Sequence, residues 1–326
     1  MVTKKALVIG LNYPGTSKPL KCGVLNAKKV KEYLEKYLEF NSKNIILLTD
    51  EDPRKGKDPK EEEGKDPQKG KEIENMIEVT AYDICKQLYM MIQDAEDDDI
   101  LFYYFCGHGG IYRSKVYANN SGAVEYMAGS GKTPFKDSMF RDFVEIIPRS
   151  CSFTAVVDAC RSGGILEGAY EVIGDSTKKP SIYTERAPQY TKFKFGEPTG
   201  HPLGIVISAC QNYQFSKQKK YKHKGKTTYG TYFTKSFLEV IKKTRGNISN
   251  EELVQQTGHK MNVMLERKYV PAKRHNPGLY CDIEQKDLMF LSHERKVINN
   301  EDDQVKVEDD QVKVEVEDDQ VKVEDD

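Results

Sequence analysis

The sequence predicts an α/β fold, a central and mostly parallel sheet with helices on both faces. Three observations carry this expectation. Apolar runs of strand length, such as DILFYYFC at 99–106 and FTAVVDA at 153–159, alternate with segments of helical periodicity. Both runs stop at a small-residue turn, GHGG at 107–110 and CRSGG at 160–164. Strands and helices in alternation require crossover connections, which are right-handed in a parallel sheet.

The elements follow in order. KALVIGL at 5–11 reads as a first central strand. Residues 27–39 place Val30, Tyr33, Leu34, Tyr37 and Leu38 on one helical face. KNIILLTD at 43–50 is a second strand. Residues 51–72, rich in Lys, Glu, Asp, Gly and Pro with GKDP twice, read as a mobile insertion. Residues 80–93 are helical, with Thr80 as cap. After the strand ending at Cys106, residues 111–135 are Gly/Ser/Asn-rich and suggest loops or a small hairpin. Residues 137–147 read as a helix before the strand ending at Asp158. Residues 165–202 look like loop, GIVISAC at 204–210 like a buried strand, and 211–229 like a polar, basic stretch. Residues 230–244 and 249–268 are good helices, the second with Ser249 and Glu252 in capping-box spacing.

Composition narrows the class. The 326 residues are 38% hydrophobic and 31% charged, which suits a globular chain with a polar excess. No stretch approaches the roughly 18 apolar residues of a membrane span. The N-terminal apolar run is short and lacks a small-residue cleavage site, so a cleaved leader is not expected. Seven scattered Cys suit a reducing compartment, and a cytoplasmic location is expected. Residues 301–326 carry 13 acidic residues and 3 Lys, a net −10 against −1 for the whole chain, which leaves +9 on the first 300. EDDQVKV repeats at 301–307, 308–314 and 317–323, and this density of charge without large apolar groups favours a disordered tail over 298–326. Residues 1–297 then form a single domain.

The two turns hold the chemistry. In open α/β sheets ligands bind beyond the carboxyl ends of the strands. If the strands ending at Cys106 and Asp158 lie in one parallel sheet, His108 and Cys160 emerge at one edge. A thiol beside an imidazole is a nucleophile with its base, and a cysteine hydrolase is expected. Either residue alone reads as a satisfied loop histidine or a buried structural thiol; the pair, in this order and with these flanks, points to catalysis. Asp158 lies two residues before Cys160 and faces the same way on a strand, where it either binds a basic side chain or caps nearby amides.

The order strand, His-Gly, spacer, strand, Ala-Cys resembles the caspase-like clan of cysteine peptidases, and FCGHGG with DACRSGG resembles the metacaspases most closely. ISACQNYQFS at 207–216 with GTYFTKSF at 230–237, and LKCGVLNA at 20–27, are weaker matches. The resemblance implies a caspase-like three-layer sandwich and a cysteine endopeptidase acting through a Cys160–His108 dyad. It implies an oxyanion site made by the backbone N–H groups of Gly109 and Cys160. It also implies a pocket for a P1 Arg or Lys around Asp158, with Asn26, Cys106 and Gly23 at the family's other pocket positions. The family usually has a second Asp at the position of Asn26, a Cys at that of Gly23 and a Ser at that of Cys106.

Many metacaspases bind Ca²⁺ through carboxylates between the two motifs. Here KDSM at 136–139 retains Asp137, with Lys136 beside it, and Glu125 and Asp142 as the nearest additions. Ca²⁺ wants six to eight oxygens, so Asp137 is a weak metal candidate and no cofactor is expected to be required. No Cys/His spacing suits zinc. The expected partners are peptide or protein substrates, with no membrane, and a monomer. KQKKYKHKGK at 217–226, interleaved with Tyr, raises nucleic-acid binding as a rival function, although a solvated loop or a gate beside the cleft explains it more simply. A catalytically weak or inactive interaction scaffold is the other alternative. Lys178, Lys179 and Arg186, in the 165–202 segment, offer sites for self-processing at a basic P1.

Overall fold

The structure, a computed structural model, describes residues 2–51, 77–113, 123–131, 133–166, 169–174, 182–183, 204–223, 226–270 and 274–295. Most of the 51–72 insertion, most of the 165–202 segment with Lys178, Lys179 and Arg186, and the acidic tail lie outside the described residues.

Among the described residues, eight strands form the central sheet. They are β1 (Lys4–Gly10), β2 (Ile45–Thr49), β3 (Ile100–Cys106), β7 (Ser152–Asp158), β8 (Tyr170–Ile173), β9 (Ile182–Tyr183), β10 (Ile205–Ser208) and β13 (Gly278–Cys281). Their order is β2-β1-β3-β7-β10-β13-β8-β9. The first five are parallel. From β13 onward each pairing is antiparallel, so the sheet is mixed at one end. The central strands are continuous apolar runs because both faces are covered: all seven residues of β3 are buried.

Alternation of side chains divides the core in two. Phe102, Tyr104, Cys106 and Val156 face one layer, made by α1 (Gly23–Tyr37), α4 (Tyr232–Thr244) and α5 (Asn250–Glu266). Leu101, Tyr103, Phe105, Ala155 and Val157 face the other, made by α2 (Ala81–Gln93) and α3 (Asp137–Glu145). The caps behave as their residue types require. Thr80 and Asp83 form a reciprocal capping box at α2, as do Ser249 and Glu252 at α5.

Three expectations need correction and one is extended. Helix α1 starts at Gly23, four residues before the apolar periodicity begins, because Gly10 and Gly23 let it sit directly on β1: a Cβ on Gly23 would lie 2.1 Å from the Leu11 carbonyl oxygen. Of the two expectations for 111–135, the small hairpin holds and is extended: β4 (Gly109–Arg113) and β5 (Ala123–Ala128) pair antiparallel, and β6 (Pro134–Lys136) adds a third strand. The supposed loop after Cys160 contributes β8 and β9 to the central sheet. The basic stretch pairs as a hairpin, β11 (Gln218–His223) with β12 (Lys226–Thr231), instead of a solvated loop.

Candidate active site

Register brings the two motifs together. β3 and β7 are parallel neighbours, and Cys106 pairs with Asp158 at their carboxyl ends. His108 and Cys160 each follow by two residues, so both leave the same edge. The strands stay in contact past their ends, with the Gly107 N–H donating to the Asp158 carbonyl at 3.4 Å. Gly109 then packs on the nucleophile turn: a Cβ there would fall 2.4 Å from the Cys160 carbonyl oxygen. Only glycine allows that approach of backbone to backbone.

The Cys160 thiol is half-buried and faces the Ser216 carbonyl at 3.9 Å. Burial raises its pKa; the Ser216 contact and the charges of Lys217 and Arg161 oppose the rise, and Asp158 adds to it. Arg161, the next residue, has φ +59°, a left-handed conformation uncommon for a non-glycine residue. The geometry is held by its N–H on the Gln214 carbonyl at 3.1 Å and by its guanidinium over the Phe215 ring at 5.2 Å.

His108 is held on three sides. Its Nε2 lies 2.6 Å from the Lys18 carbonyl oxygen. A carbonyl only accepts, so Nε2 carries a proton, and in the neutral tautomer Nδ1 holds the lone pair. Its backbone N–H donates to the Tyr13 hydroxyl at 2.8 Å, which donates in turn to the Ala128 carbonyl at 2.7 Å. The Tyr13 ring lies against the imidazole, with centroids 4.5 Å apart. Tyr13 is itself left-handed at φ +52°, and its N–H donates to the buried Asp50 carboxylate at 2.7 Å. Nothing in the sequence pattern marks Tyr13, because it lies 95 residues from His108 in a segment without periodicity.

Asp158 is 2% exposed and forms the floor beneath the turn. Ser216 donates to its Oδ1 at 2.8 Å, Thr234 donates to its Oδ2 at 2.5 Å, and the Thr231 hydroxyl donates to the same Oδ2. Burial nevertheless raises its pKa, against those three hydroxyls. Asn26 reaches the cluster from α1, its Nδ2 donating to Thr231 Oγ1 at 3.1 Å and to the Cys106 sulfur at 3.5 Å. Tyr104 donates to Thr234 at 2.7 Å. The Cys106 thiol, in contact with Cys22, buried, and near the Asp158 charge, has its pKa pushed well up and stays protonated. Thus Asp158, Asn26 and Cys106 share one buried polar cluster. Gly23 stands apart from it as the contact between α1 and Leu11. The sequence pattern does not single out Ser216, Thr231 or Thr234. Thr231 caps α4 through the Thr234 N–H, and that cap signal marks its place.

Asp137 begins α3, and both of its oxygens receive backbone N–H groups, from Glu125 at 3.0 Å and Ser138 at 2.6 Å. Among the described residues no group of three or more His, Cys, Asp or Glu is arranged to hold a metal ion. No helix among the described residues is long and apolar enough to cross a membrane.

Residues 3–289 match the family described as the caspase domain. Two Arabidopsis thaliana proteins are similar. Metacaspase-6 is 30% identical over 179 residues, covering 55% of this chain and 43% of that protein, and Metacaspase-7 is 31% identical over 196 residues, covering 60% and 42%. Metacaspase-1 of Debaryomyces hansenii is 24% identical over 211 residues, covering 63% and 43%. The matches thus span less than half the length of these relatives. A solved structure of a Geobacter sulfurreducens protein aligns with a TM-score of 0.53 at 14% identity, covering 89% of this chain and 98% of that one, a likeness of fold.

Proposed function

This chain belongs to the caspase-domain family, and from that premise we propose that it is a cysteine endopeptidase cleaving after Arg or Lys, with Cys160 as nucleophile and His108 as base. The observation that carries the reading is the register: Cys106 beside Asp158 in parallel strands, with the two reactive residues at equal offsets beyond them.

The chemistry follows from the site. Burial keeps the Cys160 thiol protonated at rest, so attack on the carbonyl requires proton removal as it proceeds. The lone pair on His108 Nδ1 takes the proton. Negative charge then develops on the carbonyl oxygen, where the N–H groups of Gly109 and Cys160 supply donors. His108 returns the proton to the leaving amine, and the resulting thioester is hydrolysed by water with His108 again as base. Asp158 provides the charge for a P1 cation. Its three hydroxyl donors hold the carboxylate in place, and Asn26 supplies a neutral amide where a second carboxylate would sit. That makes the pocket less selective for a cation than a two-carboxylate pocket. Activity does not need Ca²⁺. Seven free thiols support a reducing, cytoplasmic setting.

The test is a fluorogenic peptide series differing only at P1, assayed with and without Ca²⁺. Cleavage after Arg and Lys that is unchanged by Ca²⁺ and absent in Cys160→Ala supports the proposal. Hydrolysis persisting in Cys160→Ala removes the dyad, and activation by micromolar Ca²⁺ that Asp137→Ala abolishes removes the metal-independent reading.

A further inference from the structure

A row of cations leads away from Cys160. Ser216 presents its carbonyl to the thiol, and the charge of the next residue, Lys217, acts on it. Lys217, Lys219 and Tyr221 then alternate onto one face of the chain entering and forming β11. Beneath them is an aromatic floor. Lys217 Nζ lies 5.7 Å from the Tyr269 ring centre, and Lys219 Nζ lies 5.5 Å from that of Tyr232. Those two rings meet edge to face at 6.2 Å. Farther along, the Nζ atoms of Lys235 and Lys29 lie 5.1 and 4.9 Å from the Tyr221 ring centre.

The row is not neutralised. Burial and then the nearby charges of Lys235, Lys268 and Arg267 lower the pKa of Lys219, with only a partial opposing effect from Glu239. Glu239 is already shared by Lys235 at 3.9 Å and Lys260 at 3.8 Å. Lys217, Lys219, Arg267 and Lys268 form no ion pair among the described residues. Tyrosine faces orient ammonium groups without cancelling their charge.

We propose that this row is a docking track for acidic side chains of the protein substrate, on the stretch of polypeptide that runs from the scissile bond along β11. Residues 217–221 span about 13 Å of extended chain, the length of a four- or five-residue peptide strand. A peptide is favoured over a nucleic acid because the row starts at the nucleophile, where a substrate chain must already lie. The inference rests on the peptidase reading of Cys160, and its test separates the two.

Cys160→Ala protein is titrated with a fluorescein-labelled peptide carrying four Glu beside an Arg, and with its Gln counterpart, at low and high salt. The Glu peptide is expected to bind at least tenfold tighter at low salt, with the difference lost at high salt and in Lys219→Gln/Lys268→Gln. In the wild type, kcat/KM should favour the Glu-flanked substrate about tenfold, through KM, and the double variant should bring the ratio close to one. Equal binding of both peptides overturns the proposal. So does binding of oligothymidylate without binding of the Glu peptide, which would assign the row to nucleic acid. Tight binding of the Glu peptide by a protein that hydrolyses neither substrate upholds the track and overturns the peptidase reading alone.

Discussion

Asp158 illustrates how a single residue is held at a cost for use. Its pKa is raised by burial despite three hydroxyl donors. A carboxyl whose folded pKa exceeds its unfolded value, near 3.9, stabilises the fold fully below that value, and the contribution is lost as pH rises through the folded pKa. Above the unfolded value, burial of this carboxyl therefore opposes folding. Asp158→Asn should leave Tm unchanged or raise it, while lowering kcat/KM for a P1 Arg by roughly a hundredfold, as expected for loss of a buried charge partner worth about 3 kcal/mol. Thermal denaturation and P1-Arg kinetics check both halves; a large fall in Tm with an unchanged P1 profile would make Asp158 structural. Tyr13 is a positioning residue, since it acts through His108, whose backbone N–H its hydroxyl accepts and whose ring it lies against. Tyr13→Phe removes the hydroxyl that accepts the His108 N–H and should lower kcat about tenfold with little change in KM.

At the scale of the element, two glycines place the site. Gly23 seats α1, which delivers Asn26, and Gly109 seats the histidine turn on Cys160. Gly23→Ala forces a Cβ onto the Leu11 carbonyl and should destabilise by about 2 kcal/mol, in the range of core overpacking, measured by denaturant unfolding. Gly109→Ala forces a Cβ onto the Cys160 carbonyl, so it should cost stability as Gly23→Ala does and also lower kcat about a hundredfold, because a shift near 1 Å at reacting atoms is enough; comparing kcat at matched folded fraction separates the two effects. Which elements were legible in the sequence follows from burial. β1, β3, β7 and β10 each carry a run of buried, mostly apolar residues because helices cover both faces, so their sequences announce them. β8 (YEVI) and β13 (GLYC) are four residues long and lack that signature. The β11–β12 hairpin lies outside the central sheet and is built of Lys, Thr and Tyr, so hydropathy hides it. Helix α1 begins with residues of poor helix propensity, Gly23 and Asn26, that close packing on β1 selects. His108, Cys160 and Asp158 were legible because they punctuate apolar strands; the Ser216, Thr231 and Thr234 hydroxyls were not, since only the register of distant segments brings them to one carboxylate.

At the scale of the molecule, the antiparallel end of the sheet carries a titrating group outside the site. His275, just before β13, is fully buried; its Nδ1 donates to the Ala209 carbonyl at 2.8 Å and its Nε2 has no partner. Burial lowers its pKa to about 4. A histidine with a depressed folded pKa contributes stability above its unfolded value, near 6.5, and the contribution is lost as pH falls toward the folded one. Stability should therefore drop between about pH 6.5 and 4 by on the order of 3 kcal/mol from this residue, and His275→Gln should flatten that limb in chemical denaturation. The same sheet holds the parallel β3–β7 pair on which the functional reading depends. Its most direct test is intact and peptide mass spectrometry after treatment with a peptidyl-arginine electrophile. The account predicts a single adduct, on Cys160, that forms with the wild type, slows sharply in His108→Ala and is absent in Cys160→Ala. An adduct on another of the seven thiols, or labelling of Cys160 at an equal rate in His108→Ala, would contradict it.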